Sequence, residues 1–107
     1  MPRWLPRALT RIRAVATARN VLFTLKALKE LASLELGLDE EDACEVLSEL
    51  TAEDSAGRVA SAATGEWMYL FKPQVSETIL YVKVILRNNC VVVSFHEDED
   101  SSGEDGE

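Results

Sequence analysis

The 107-residue sequence predicts an α+β fold in which three helices are followed by strands that end in a C-terminal β-hairpin. Apolar residues recur at helical spacing over the first half of the chain and alternate with polar ones after Thr51. The last two apolar segments are rich in β-branched residues and flank Asn88-Asn89, a pair that tolerates the backbone of a tight turn. The apolar fraction of 47% suits one hydrophobic core, so we expect a single domain over residues 1–96.

We predict the first helix from about residue 7 to residue 19. Pro6 suits a helix start, where its missing N–H is not needed, and Asn20 can close the helix in a left-handed conformation. One apolar stripe is predicted to be buried: Leu5, Leu9, Ile12 and Ala16. Another face would carry three arginines spaced four residues apart: Arg3, Arg7 and Arg11. That face is either solvated surface or a ridge that steers phosphate groups.

Two further helices are predicted before Thr51. Thr24 can cap the first of them and Gly37 can end it, after a short strand or buried linker over residues 21–23. Asp39 opens the next helix, whose first turn is acidic and therefore complements the helix dipole. We favour this structural role over metal binding, because the acids lack the alternating ligands and central glycine of a calcium loop.

Two strands are predicted next, over residues 58–63 and 66–72, with a turn at Thr64-Gly65 and a stop at Pro73. One face of the second strand carries three aromatic residues: Trp67, Tyr69 and Phe71. Such a row is either part of the core or a binding platform, and we favour the core.

The last hairpin is predicted over residues 78–87 and 90–96, and a two-residue turn would fix its register. One side pairs apolar residues that must face the helices: Leu86 with Val91, Val84 with Val93, and Val82 with Phe95. The other side pairs Ile85 with Val92, Lys83 with Ser94, and Tyr81 with His96. One end of the hairpin therefore gathers a phenol, an imidazole, an ammonium and a hydroxyl on a single face.

This polar end carries groups that RNA cleavage by the ribose 2′-hydroxyl requires: a general base, a general acid, and cations for the charge on the phosphorane. His96 is expected to act as acid or base, because imidazole titrates near neutral pH. Tyr81 could relay a proton, hold the nucleophile or stack on a base. Lys83 and Arg58 would supply positive charge, Arg58 as a bidentate phosphate ligand. An ordinary cross-strand pair of tyrosine and histidine is the structural alternative.

The net charge of −8 is unevenly distributed along the chain. Residues 1–37 carry seven basic and two acidic side chains, whereas residues 97–107 carry seven acidic and no basic ones. Because phosphates respond to local patches, the overall acidity is compatible with RNA binding. We expect residues 97–107 to form a disordered acidic tail, which either solubilises the protein or covers the basic surface as an RNA mimic.

Cysteine content and hydropathy bear on cofactors and location. Cys44 and Cys90 lie among apolar neighbours, so we expect reduced core thiols rather than zinc ligands. We predict no metal site. The sequence shows neither a signal peptide nor an apolar run long enough to span a membrane, and we expect a cytoplasmic protein.

Several segments, in this order and at these distances, resemble the MqsR family of type II toxin–antitoxin toxins. They are Leu36-Gly37-Leu38-Asp39 before the helix with Cys44, residues 67–72 before Pro73, Tyr81-Val82-Lys83, and residues 91–95. The resemblance runs from about Leu9 to Asp98. It implies a RelE-like fold, in which the helices pack on one face of a mainly antiparallel sheet.

The resemblance also implies a function. The protein would be a sequence-selective, metal-independent mRNA endoribonuclease (an mRNA interferase) that inhibits translation. A cognate antitoxin with a helix-turn-helix DNA-binding domain would neutralise it. The alternative is a catalytically inactive, antitoxin-binding protein of the same fold.

The family's site residues map onto this sequence in part. The family tyrosine falls on Tyr81, Lys83 also matches, and a lysine near the C-terminus falls on His96. A lysine before the first hairpin lies near Arg58 but needs a one-residue gap, and a glutamine falls on Met68, which cannot make the same hydrogen bonds. The expected catalytic residues are Tyr81, His96 and Arg58, and the expected RNA contacts are Lys83, Lys72 and Met68. No small-molecule cofactor is expected.

Overall fold

The structure is a computed structural model that describes residues 1–98. These residues form three α-helices: α1 (Trp4–Thr17), α2 (Leu25–Ser33) and α3 (Glu40–Ser48). They also form six strands: β1 (Val21–Phe23), β2 (Ser55–Ala60), β3 (Trp67–Phe71), β4 (Gln74–Val75), β5 (Thr78–Leu86) and β6 (Cys90–Glu97). The predicted α+β class is confirmed. No helix within residues 1–98 has the length and hydropathy of a transmembrane span.

The strands of residues 1–98 lie in the order β1-β6-β5-β3-β2, and the short β4 pairs with the start of β5. All neighbours are antiparallel except β1, which runs parallel to β6. Residues 21–23, predicted as a strand or a linker, are therefore an edge strand. The sheet is mainly antiparallel, as expected.

The two faces of the sheet differ in what covers them. Side chains from the central strands pack against the helices and are fully buried: Phe71, Val82, Val84 and Phe95. We call this side the helix face. Because side chains alternate along a strand, their neighbours point to the opposite side, which we call the outer face.

Helix α1 begins three residues before its predicted start. Pro6 lies in its first turn, where backbone amides have no helical acceptor, so proline is tolerated there. The helix ends at Thr17, and the left-handed residue is Arg19 (φ 61°) rather than the predicted Asn20. The predicted apolar stripe is buried: Leu5, Leu9, Ile12 and Ala16.

The caps of α2 and α3 are mostly as predicted. The Thr24 hydroxyl accepts a hydrogen bond from the Ala27 amide (3.1 Å), and the Asp39 carboxylate accepts one from the Asp42 amide (2.9 Å). The prediction that Gly37 ends α2 is wrong, because the helix stops at Ser33 and Gly37 (φ 71°) lies in the following loop.

Strand β2 begins and ends three residues before its predicted limits. A β-bulge inserts one extra residue between Ser55 and Arg58, and Gly57 there adopts φ 98°. Residues 61–65 form the following turn, in which the Ser61 amide donates to the Glu66 carbonyl (2.7 Å). The bulge decides which face of the sheet receives Arg58.

The turn of the C-terminal hairpin contains residues 87–89, because Leu86 pairs with Cys90. The predicted two-residue turn is wrong, and the register next to it shifts by one residue. Three predicted pairs are therefore wrong: Leu86 with Val91, Val84 with Val93, and Ile85 with Val92. Val84 instead pairs with Val92 on the helix face, and Ile85 pairs with Val91 on the outer face.

A second β-bulge, at Val93, restores the predicted register farther from the turn. The remaining predicted pairs are confirmed: Val82 with Phe95, Lys83 with Ser94, and Tyr81 with His96. The extra residue in the turn is offset by one extra residue, Val93, in β6. The polar end of the hairpin consequently forms as predicted.

Helix α2 covers the part of β6 that β1 does not reach. The Thr24 amide donates to the Val92 carbonyl (3.0 Å), and the Glu30 carboxylate accepts from the Phe95 amide (2.9 Å). Glu97, assigned to the predicted tail, is the last residue of β6, and Asp98 is buried. The described structure thus extends two residues beyond the expected domain end, and the rest of the predicted tail, residues 99–107, lies outside the described part.

Candidate active site

The candidate site lies on the outer face of the β5–β6 hairpin. Val82 and Phe95 point into the core, so the alternating Tyr81, Lys83 and His96 point outward. The rings of Tyr81 and His96 stack, with centroids 5.1 Å apart and an interplanar angle of 24°. The Lys83 ammonium lies 5.9 Å from the centroid of the Tyr81 ring. The structure therefore brings together three of the predicted site residues.

One hydrogen bond fixes which tautomer the neutral His96 ring adopts. Nδ1 lies 2.7 Å from the Glu97 carbonyl oxygen, which can only accept, so Nδ1 carries the proton. Nε2 is left to act as a base in the neutral ring and as an acid in the imidazolium. This contact is local, because Glu97 is the next residue along β6.

A groove of about 680 Å³ runs past His96 between α2 and the ends of β5 and β6. Its walls include Lys29, Leu36 and Thr78. A groove of this size is within the range of small-ligand sites, and it gives the imidazole an open approach.

Lys26 is a further cation near the site, and the sequence analysis did not identify it. Its ammonium donates to the Ser94 hydroxyl (2.9 Å) and forms an ion pair with Glu30 (2.8 Å). Ser94 is only 2% exposed and lies opposite Lys83. In sequence, Lys26 and Glu30 are an ordinary helical i,i+4 pair, and only the docking of α2 beside β6 places them at the site.

Lys72 and Met68 occupy different surroundings. The Lys72 ammonium lies 3.5 Å from the Asp98 carboxylate, whose side chain is mostly buried, so this lysine is engaged in an ion pair. Met68 pairs with Ile85 on one side and Val59 on the other, in an apolar row across the outer face. A thioether there offers packing and no strong hydrogen bond.

Arg58 lies on the other side of the sheet. It pairs with Tyr69, which in turn pairs with the core residue Val84, so Arg58 points to the helix face. Its guanidinium carbon lies 4.7 Å from the centroid of Trp4 and 3.8 Å from that of Trp67. The structure therefore does not bring Arg58 to the hairpin cluster, where the sequence analysis expected it to supply charge.

The aromatic row of β3 changes character along its length. Phe71 is fully buried, as predicted for a core residue, and Tyr69 is half-buried against Trp4 with ring centroids 5.5 Å apart. Trp67 is 45% exposed, so the prediction of a core position is wrong for this residue.

Both cysteines are free and buried, which confirms their predicted position in the core. Burial raises the pKa of the Cys90 thiol to about 12 and also raises the pKa of the Cys44 thiol. Neither thiol is therefore a ready nucleophile near neutral pH.

Comparison with known proteins relates nearly all of the described residues to one family. Residues 6–97 match the family model described as "Motility quorum-sensing regulator, toxin of MqsA". The matched region contains almost all of α1 and extends to the last residue of β6. No curated protein matches the chain.

Proposed function

Because the chain belongs to the MqsR toxin family, whose members are toxins of toxin–antitoxin systems, we propose that it is a metal-independent mRNA endoribonuclease. The observation that carries this proposal is the stacked pair of Tyr81 and His96, with Lys83 beside it, on the outer face of the hairpin. These groups supply proton transfer and positive charge on one surface.

The cleavage step that we propose begins at the ribose 2′-hydroxyl. Neutral His96 accepts its proton at Nε2, and the resulting alkoxide attacks the adjacent phosphorus while Nδ1 stays fixed by the Glu97 carbonyl. Lys83 stabilises the charge that develops on the phosphorane oxygens. Tyr81 donates its phenolic proton to the departing 5′-oxygen, and the products are a cyclic phosphate and a free 5′-hydroxyl.

The proposal retains some of the expected RNA contacts and omits others. Lys83 keeps its expected role as an RNA contact. Lys72 is not assigned a direct contact with RNA, because its ammonium already forms an ion pair with Asp98. Met68 provides an apolar contact where the family resemblance implies a glutamine, so base reading by that side chain is lost. Sequence preference would then depend on the groove beside His96.

The partners in this proposal are mRNA and a cognate antitoxin with a helix-turn-helix DNA-binding domain. Translation would be inhibited where mRNA is located, in the cytoplasm. Family membership supports the antitoxin, since the family description itself names one.

End-mapped cleavage of a defined RNA in excess chelator tests the proposal. The wild type should give discrete cuts, and His96→Ala should lower kcat by about 10²- to 10⁴-fold, the usual contribution of a general base. Tyr81→Phe should lower it similarly, because the ring is kept and the proton is lost. Arg19→Gln, at an exposed ion pair with Glu41, is the control and should cleave normally. Unchanged cleavage by both hairpin variants would refute the site.

Met68 favours a second candidate, an inactive protein that retains antitoxin binding. In that case the wild type cuts no RNA, its expression is harmless, and it still forms a stable complex with the antitoxin. Met68→Gln separates the two functions further, because only an inactive protein would gain cleavage from restored hydrogen bonding at this position.

A further inference from the structure

A basic groove lies on the helix face of the sheet, on the side opposite the candidate active site. A groove of about 560 Å³ runs between α1 and strands β2 and β3. Its principal side chains are Arg3, Trp4, Arg7, Arg11, Arg58 and Tyr69, and we call it the arginine groove. Four guanidinium groups line it, and none of the described residues in its walls is acidic.

Most of these charges have no carboxylate partner among residues 1–98. Among residues 1–98, no carboxylate lies within ion-pair distance of Arg3, Arg7 or Arg58. Other arginines of the same chain are paired: Arg19 contacts Glu41 at 2.6 Å, and Arg87 contacts Glu66 at 2.8 Å. Although the net charge of the chain is −8, the described residues thus keep a cluster of cations without carboxylate partners in one groove, and this favours a polyanionic ligand.

Aromatic rings accompany these cations. Arg58 lies between Trp4 and Trp67, and its guanidinium makes no hydrogen bond to any residue in the described chain. Trp67 is 45% exposed and can offer a ring face to a ligand. Cations that follow a phosphate backbone, together with rings on which bases stack, are typical of sites for single-stranded nucleic acid.

We propose that the arginine groove binds single-stranded RNA, with Arg3, Arg7 and Arg58 on phosphates and Trp67 stacked on a base. This inference rests on the proposed function insofar as RNA is the substrate. The groove and His96 lie on opposite faces of the sheet, so the groove holds a segment of the RNA that flanks the cleaved bond. Its contribution is to affinity and not to the chemical step.

Fluorescence anisotropy with a labelled single-stranded RNA carrying 2′-O-methyl riboses tests the inference, since such an RNA lacks the attacking hydroxyl and cannot be cut. Arg7→Gln removes one phosphate contact and should weaken binding about 5-fold at 0.1 M salt. Each such contact changes the logarithm of the association constant by about 0.7 for each tenfold change in salt concentration, which is a factor of about 5. Arg3→Gln with Arg7→Gln should weaken it about 25-fold on the same basis. Trp67→Leu should cost about 5-fold or more through lost stacking, and Trp67→Phe should restore part of it.

The matched control is Arg19→Gln, which removes the same charge beyond the opposite end of α1 and should leave affinity unchanged. Equal affinity of Arg7→Gln and wild type would overturn the inference. The inference would also be overturned if a poly-glutamate peptide bound as tightly as the RNA and Trp67→Leu left that affinity unchanged. The groove would then bind acidic peptides by charge alone. Failure of the proposed function gives a different result from failure of this inference. If His96 is not the catalytic base, His96→Ala still cleaves RNA, whereas the effects of the groove variants on RNA affinity are unchanged.

Discussion

Glu30 connects α2 to the edge of β6, and its removal should destabilise the strand that carries His96. One carboxylate oxygen accepts from the Phe95 amide at 2.9 Å, the other lies 2.8 Å from the Lys26 ammonium, and the side chain is 22% exposed. In Glu30→Ala the amide loses its acceptor, which costs about 1–3 kcal/mol. The exposed ion pair adds about 0.3–0.5 kcal/mol. We expect a total loss of about 2 kcal/mol, or about 8–16 °C in Tm for a domain of this size.

The same contacts give this stabilisation a pH dependence. Partial burial raises the pKa of the Glu30 carboxyl, but the hydrogen bonds from Lys26 and the Phe95 amide outweigh it and hold the pKa below its ordinary value of 4.5. A carboxyl with a lowered pKa in the folded state stabilises the protein fully above its unfolded pKa. Its contribution is therefore present above about pH 4.5 and is lost as the pH falls through the folded value.

Urea unfolding at pH 7 and at pH 3 measures both effects. Glu30→Gln keeps a carbonyl acceptor for the Phe95 amide, so it should lose less stability than Glu30→Ala. Glu35→Ala removes an exposed glutamate just after the same helix and is the matched control. The reasoning is refuted if Glu30→Ala and Glu35→Ala unfold at the same urea concentration at pH 7.

Two further predictions concern the core and the bulge of β2. Cys90, with a pKa raised to about 12, and Cys44 should both resist iodoacetamide in the native protein at pH 8. Both should react in denaturant, and labelling of Cys90 in the folded protein would contradict its burial. Gly57→Ala should lose about 1–2 kcal/mol in urea unfolding, because φ is 98° and the added methyl meets no neighbour, so the cost is backbone strain. Ala60→Ser in the same strand is the control, and equal stability of the two variants would show that the bulge accommodates a side chain.

Short-range patterns in the sequence were sufficient for the number and order of the helices, for the caps at Thr24 and Asp39, and for the identity of the hairpin, but not for the end of α2. Thr24 and Asp39 cap the helices that they were predicted to cap, because capping involves residues only three positions apart. The pairing of Tyr81 with His96 was also predicted. That prediction held because the extra residue in the turn is offset by the bulge at Val93, and the pattern of apolar residues shows neither feature.

One-residue irregularities account for the position of Arg58 and for the hairpin pairs that were predicted wrongly next to the turn. The bulge at Gly57 adds one residue to β2 and turns Arg58 from the outer face to the helix face, because side chains alternate with a period of two. Sequence periodicity cannot locate such an insertion when polar and apolar residues are mixed, as they are around it.

The sequence by itself determined the order of the three helices and of strands β2, β3, β5 and β6, the burial of the apolar stripe on α1, and the set of polar groups on the last hairpin. Those features follow from local propensity and from the exclusion of apolar surface from water. Only the tertiary structure decided that β1 runs parallel to β6, that Lys26 reaches Ser94, and that Arg58 stands between two tryptophans. These contacts join residues far apart in the chain, and their geometry is fixed by the packing of whole elements and not by any local pattern.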